Sequence, residues 1–343
     1  MPPPAAVPAI VPAAPAAVPT LAEKIEAILE RPAVERALWG IEVWDPARGE
    51  AIYRHNAEKH FVPASNLKLV VATAGAHLLG AEYRYSTTLY ATGAIEGGVL
   101  RGDLVVYGTG DPMLSARYAP TLTSIFEAWA DSLQARGVRR IRGGIVADQS
   151  AWDTVYTNGD WSEYDLLWWY AAPTGALGYN DNSIDFRVSP GDRVGAPARI
   201  TAQPQSGFYH FDNRTTTIAA GGRQTLDFAR VPDTNRVFAY GEIPLGTAPT
   251  TEYFAVVDPA RYTATVLKEV LERKGIRVGR GEVRVHSDAP TSPARGARAI
   301  FVHHSPPLPQ VVLPILRTSQ NWFADQLLKT LGKELRGEGS WQA

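Results

Sequence analysis

The chain has 343 residues, enough for two domains or for one domain carrying a large insertion. Its 34 basic and 35 acidic side chains nearly cancel, which argues against a basic surface for nucleic acid or anionic lipid. Cysteine is absent, so disulfides, thiol catalysis and Cys-ligated metals are excluded, and no apolar stretch reaches transmembrane length.

Residues 1–20, MPPPAAVPAIVPAAPAAVPT, are uncharged and rich in proline and alanine. Such a run builds neither helix nor core and reads as a disordered linker. Its prolines also interrupt the apolar run that a secretory signal needs, so no export signal is visible. Thr20-Leu21-Ala22-Glu23 is a capping box, and the helix it opens carries Leu21, Ile25, Ile28 and Leu29 on one face. Two strands follow, ALWGIEVWD and GEAIYRHN, joined by a turn around Pro46-Ala47-Arg48-Gly49.

Pro63-Ala64-Ser65-Asn66-Leu67-Lys68 then runs into LVVATAGAHLLG. The near-continuous apolar stretch predicts a helix inside a domain, ending at Gly80. Ser65 stands at its mouth, and Lys68 lies on the same face one turn later. A lysine desolvated by apolar neighbours loses proton affinity and can take a proton from a serine hydroxyl. A second reading makes Ser65 a plain N-cap and Lys68 a solvated first-turn residue. This is the chain's only Ser-x-x-Lys.

From about Tyr83 to Val257 short strands dominate: YRYSTTLYA, VLRGDLVVYGTGDP, RRIRGGIVAD, SIDFRVSP and RVFAYGEIP. One amphipathic helix, SIFEAWADSLQARG, and a loop around Trp161, Trp168 and Trp169 interrupt them. Asp258-Pro259 opens a helix with Asp as N-cap and Pro at the first position; Tyr262, Val266, Val270 and Leu271 face inward, and Gly275 ends it. A strand pair is expected next, GEVRVH with RAIFVHH. The last helical stretch, from Leu308, holds Ser319-Gln320-Asn321 at a break between two helices. There a serine and an amide can face a cleft; Ser319 as the N-cap of the second helix is the plainer alternative.

Other signals carry less. Tyr107-Gly108-Thr109-Gly110 lacks the third glycine and the helix of a dinucleotide site. His303-His304 has no partner at ligand spacing and reads as a strand end, so no metal or other cofactor is expected.

PASNLKL, YGTGDPMLS, GGIVAD, APTGALGYNDN and the Ser-x-Asn helix NWFADQLLKTLG, in that order, resemble the D-alanyl-D-alanine carboxypeptidase/endopeptidase family of class C penicillin-binding proteins, peptidase family S13, of the DacB type. The resemblance runs from about Leu21 to Trp341. It implies an α/β transpeptidase-like domain of the penicillin-binding-protein and β-lactamase type, split by a mostly β insertion. Residues 21–82 and 258–343 would form the catalytic domain and 83–257 the insertion. It implies a periplasmic or extracellular serine hydrolase of the cell envelope, with peptidoglycan stem peptides ending in D-Ala-D-Ala as substrate and β-lactams as inhibitors. Ser65 would be the nucleophile, Lys68 its base, Ser319 the proton relay and Asn321 the substrate-amide anchor. Asp148 is the candidate for an acidic residue that reads the diaminopimelate side chain. The family's Lys-Thr-Gly motif is missing, since Lys329-Thr330-Leu331-Gly332 has the wrong spelling and falls on a helix. The chain therefore looks like a C-terminally truncated member. A β-lactamase or esterase on the same scaffold, and a non-catalytic peptidoglycan-binding remnant, are the alternatives.

Overall fold

The structure, a computed structural model, describes residues 19–279, 281 and 283–343. The linker expected at residues 1–20 lies, except for its last two positions, outside the described residues. The chain divides into two compact units, one up to Ala64 and one from Ser65 to Ala343.

In the first unit, α1 (Leu21–Leu29) begins at the expected capping box: the Thr20 side chain accepts from the Glu23 amide, and the Glu23 carboxylate accepts from the Thr20 amide. Strands β1 (Ile41–Asp45) and β2 (Glu50–His55) form the expected antiparallel hairpin.

The second unit opens with α2 (Leu67–Leu78), followed by Gly80 at φ 83°, a left-handed stop that glycine adopts without strain. α2 is not the interior helix its composition suggests. Only Ala72 and Gly75 are buried, whereas Leu67, Leu69, Val70 and Leu78 are exposed. Its inner stripe, with Val71, Ala72, Gly75 and Leu79, lies against α5 (Leu308–Arg317) and α6 (Asn321–Arg336). The helical period selects that stripe even where every side chain is apolar.

A five-stranded sheet runs β16-β8-β6-β3-β17, built from β3 (Ser86–Ala91), β6 (Leu104–Tyr107), β8 (Ile145–Asp148), β16 (Arg284–His286) and β17 (Arg298–His304). A four-stranded ribbon joins β4 (Ile95–Glu96), β5 (Val99–Leu100), β7 (Arg140–Ile141) and β15 (Arg277–Val278). Two three-stranded sheets complete the unit: β10 (Arg199–Gln203) with β9 (Ser183–Ser189) and β14 (Thr250–Ala255), and β11 (His210–Ile218) with β13 (Arg236–Pro244) and β12 (Asp227–Arg230).

The expected pair of β16 and β17 is not a pair: the two strands occupy opposite edges of one sheet, β16 parallel to β8 and β17 antiparallel to β3. Strands on either side of position 258 thus share sheets. Helices α3 (Ser124–Ala135) and α4 (Pro259–Arg273) fall where their periodicity puts them, and the Asp258 side chain caps α4 by accepting from the Arg261 amide. They enclose the main core, with Phe126, Trp129, Leu133, Val266 and Leu271. A second core of Tyr85, Val311, Ile315, Trp322, Phe323 and Leu327 fixes α5 and α6, with Val71 of α2 and Leu79 just beyond it at its margin. The fold is thus mixed α/β with several sheets.

Candidate active site

Ser65 lies in a single 3-10 turn, Ala64–Asn66, that leads into α2. Asn66 is the N-cap residue, and no side chain caps α2. Ser65 is therefore no plain N-cap, and its hydroxyl is free for other partners. Two reach it. Lys68 Nζ donates to Ser65 Oγ at 3.1 Å, the i to i+3 contact that the helical rise predicts. Ser319 Oγ donates to the same oxygen at 3.0 Å, across 254 residues of sequence.

Ser319 sits in the break between α5 and α6, at φ 55°. It does not cap α6; Gln320 does, accepting from the Trp322 amide through its own side chain. Left-handed backbone is strained for a serine, and such residues collect at functional sites. Asn321 occupies the first turn of α6, and its Nδ2 donates to the Tyr170 carbonyl at 2.7 Å.

Burial lowers the pKa of Lys68, and the nearby charge of Asp325 on α6 opposes that shift. Burial in turn pushes Asp325 up to about 7, with Lys68 and Lys329 pulling the other way. A lysine whose pKa is lowered gives up its own proton more readily and so can serve as a base. Neither Asp325 nor its effect was visible in the sequence, where position 325 reads as one more polar helix residue.

Asp148 does not join this group. It is fully buried at the end of β8, accepting from the Ser150 amide at 3.1 Å and from Ser292 Oγ at 2.5 Å. The carboxylate is thus enclosed and satisfied by a turn and a serine. A second acid, Asp165, is linked to the site through Tyr170: the Tyr170 hydroxyl donates to Asp165 Oδ1 at 2.9 Å, while the Tyr170 carbonyl holds Asn321. Hydrogen bonds from Ser162 and Tyr170 lower its pKa. The irregular aromatic loop that carries it has no periodicity from which to predict its position.

Lys329 is not free to serve as the missing motif's cation. Its ammonium is buried and donates to Asp153 Oδ1 at 2.7 Å and to the Val155 carbonyl at 2.6 Å. A cavity of about 610 Å³ lined by Gln149, Tyr156, Arg230 and Ser287 lies elsewhere and includes none of Ser65, Lys68 and Ser319. Among the described residues there is no cluster of three or more His, Asp or Glu side chains able to hold a metal, and no helix is long and apolar enough to cross a membrane.

An exposed serine flanked by a desolvated amine and a second hydroxyl can perform acyl transfer: one partner removes the attacking proton and the other delivers one to the leaving group. The sequence also matches known proteins. Residues 21–343 match the D-Ala-D-Ala carboxypeptidase 3 (S13) family. A D-alanyl-D-alanine carboxypeptidase of an Actinomadura species is 33% identical over 344 residues, covering 98% of this chain and 62% of the relative. The D-alanyl-D-alanine carboxypeptidase DacB of Haemophilus influenzae is 26% identical over 290 residues, covering 83% and 57%. The chain thus spans about three-fifths of the length of these curated relatives. The crystal structure of penicillin binding protein 4 (dacB) from Haemophilus influenzae shares the fold, with a TM-score of 0.74 and 22% identity over 88% of this chain and 64% of that one. The same protein complexed with a β-lactam aligns with a TM-score of 0.65. By a match over nearly its whole described length, the chain belongs to the D-Ala-D-Ala carboxypeptidase 3 (S13) family.

Proposed function

We propose that this protein is a serine D-Ala-D-Ala carboxypeptidase and endopeptidase that acts on peptidoglycan stem peptides through an acyl-enzyme on Ser65. The observation that carries the reading is the convergence of Lys68 Nζ and Ser319 Oγ on one serine hydroxyl, at 3.1 and 3.0 Å. Neutral Lys68 takes the Ser65 proton as Oγ attacks the carbonyl of the penultimate D-Ala. The C–N bond then breaks: Ser319 passes its proton to the departing amine of the last D-Ala and takes up the one held by Lys68, which is left neutral. Water attacks the resulting ester, Lys68 again serving as base, and the shortened peptide leaves. Asn321, fixed by the Tyr170 carbonyl, presents its amide to the backbone of the bound peptide. A cationic stem-peptide side chain would pair with Asp165, which the Tyr170 hydroxyl ties to the residue that holds Asn321. A β-lactam would follow the same first step, its ring amide opening onto Ser65 Oγ. Such a substrate places the protein in the cell envelope, on the periplasmic or outer side.

The test is covalent labelling. In the protein carrying this chain, a fluorescent penicillin should attach at Ser65, located by peptide mapping. Ser65→Ala should abolish both the label and D-Ala release from a D-Ala-D-Ala peptide. The fold should persist, because Ser65 caps no helix. Label retained in Ser65→Ala would refute the assignment, and rapid turnover of the penicillin would favour a β-lactamase.

A further inference from the structure

Ser319 holds a backbone conformation that serine does not favour, and its hydroxyl direction depends on keeping it. What holds it is visible one residue on. Gln320 is 4% exposed. Its Oε1 accepts from the Trp322 amide, and its Nε2 donates to Asp181 Oδ2 at 2.9 Å. The same carboxylate oxygen accepts from Arg117 Nε at 2.7 Å, and Arg117 Nη2 continues to Asp185 Oδ1 at 3.3 Å. The other oxygen, Asp181 Oδ1, is buried with no partner among the described residues.

Asp181 is itself strained. It is the middle of three consecutive left-handed residues, Asn180 at φ 52°, Asp181 at 53° and Asn182 at 48°, none of them glycine and all fully buried. Such a run persists only where the surroundings over-determine it. Here they do: Asn182 accepts from the Tyr179 amide and donates to the Pro173 carbonyl, and Asn180 donates to the Ser183 carbonyl and to Asp185. Trp322 of α6 donates to that same Pro173 carbonyl. The strained triplet and the Ser-x-Asn junction are wired into one network. An Arg117–Asp181 ion pair alone would satisfy the charge. It does not account for a buried carboxylate oxygen shared with the residue that separates Ser319 from Asn321.

We propose that Asp181 and Gln320 are positioning residues for the acyl-transfer step: the Asp181 carboxylate, oriented by Arg117, clamps the Gln320 amide and so holds Ser319 in the left-handed backbone that points its hydroxyl at Ser65. This rests on reading Ser65, Lys68 and Ser319 as the catalytic group. Asn321 is held separately, by Tyr170, so loosening the clamp acts on the proton route more than on peptide binding.

Gln320→Leu removes the clamp and keeps Ser319 and Asn321. It should lower the rate of acylation by a penicillin, and kcat for D-Ala release, by about 10- to 100-fold, the scale of one mispositioned proton-transfer group, with KM changed by less than about 3-fold. Gln320→Glu gives a second readout that a merely structural role would not move. Its carboxyl can donate to Asp181 only when protonated, so the ratio of its acylation rate to that of the unmodified protein should rise as pH falls. Asp181→Asn, which keeps an acceptor of the same shape, should recover more rate than Asp181→Ala. Near-normal kcat in Gln320→Leu, or a Gln320→Glu ratio flat with pH, would overturn the proposal. Ser65→Ala separates the two readings: activity surviving there sinks the catalytic assignment itself, whereas an inactive Ser65→Ala beside fully active Gln320 variants sinks only the clamp.

Discussion

Lys68 is subject to two opposed influences, and their signs predict a pH profile. Burial lowers its pKa, and the Asp325 charge raises it again. As the base proposed for Ser65, Lys68 acts only when neutral, so acylation should rise with pH through the Lys68 pKa. Asp325→Asn removes the raising influence while keeping the side chain's shape. The Lys68 pKa should then drop further, and the rising limb of the acylation profile should move to lower pH. Stopped-flow labelling across pH checks this, and an unmoved or alkaline-shifted limb would show that Asp325 does not govern Lys68. Ser65 with Lys68, and Ser319 with Asn321, could be singled out in the chain because each spacing is local; that the two pairs belong together, across 254 residues, was implied by the family resemblance and not by spacing. Asp165, Asp181 and Asp325 could not be singled out, because each gains its role from a partner distant in sequence: Asn321 through Tyr170, Gln320, and Lys68 respectively.

At the scale of elements, the close approach of α2 to α6 centres on Gly75. A Cβ built there would lie 2.8 Å from Leu327 Cδ2 and 3.3 Å from its Cγ. Gly75→Val should therefore cost about 1–3 kcal/mol by overpacking, more than the few tenths that valine's better helix propensity returns. It should also slow acylation, since it wedges apart the helices beside Lys68 and Asp325; denaturant melts and labelling rates test both. A second tie is Lys329. Replacing it with Met leaves the Asp153 carboxylate and the Val155 carbonyl without their ammonium. Because Asp153 keeps some access to water, the expected loss is about 2 kcal/mol, below the ~3–5 of a fully enclosed pair. Unchanged stability would mean that water replaces the ammonium completely. The six α-helices of the described residues were largely readable because their caps and periods are local. β10, β11, β12 and β14 were missed, since runs such as RITAQ and HFDNRTTTI offer little apolar contrast and owe their strand state to neighbours. The apolar sequence of α2 misled in the opposite direction: composition reports what could be buried, and only the packing of α5 and α6 decides which side is.

At the scale of the molecule, the outward side of α2 leaves Leu67, Leu69, Val70 and Leu78 in water, and Leu313, Leu316, Leu328 and Leu335 of α5 and α6 are exposed as well. Expressed as these 343 residues, the protein should self-associate with rising concentration, and Val70→Glu should reduce it without lowering the melting temperature. Sedimentation at several loadings decides; a monomer at all concentrations would show the exposed leucines to be harmless. Sheet membership was the least legible property at this scale, since nothing local tells β16 and β17 that they bound the same sheet from opposite edges.

Ser65 and Ser319 meet across 254 residues, so the hydroxyl pair closes almost the whole of its unit into one loop. Bringing the ends of such a segment together costs on the order of 5 kcal/mol in chain entropy, offset only when the intervening sheets and helices have formed. With Ser65 as the proposed nucleophile, the site is latent in any partly made chain: Lys68 arrives with Ser65, but Ser319 does not. The moment at which a nascent chain first takes up a labelled penicillin would therefore time the completion of its fold, making the antibiotic a clock for maturation.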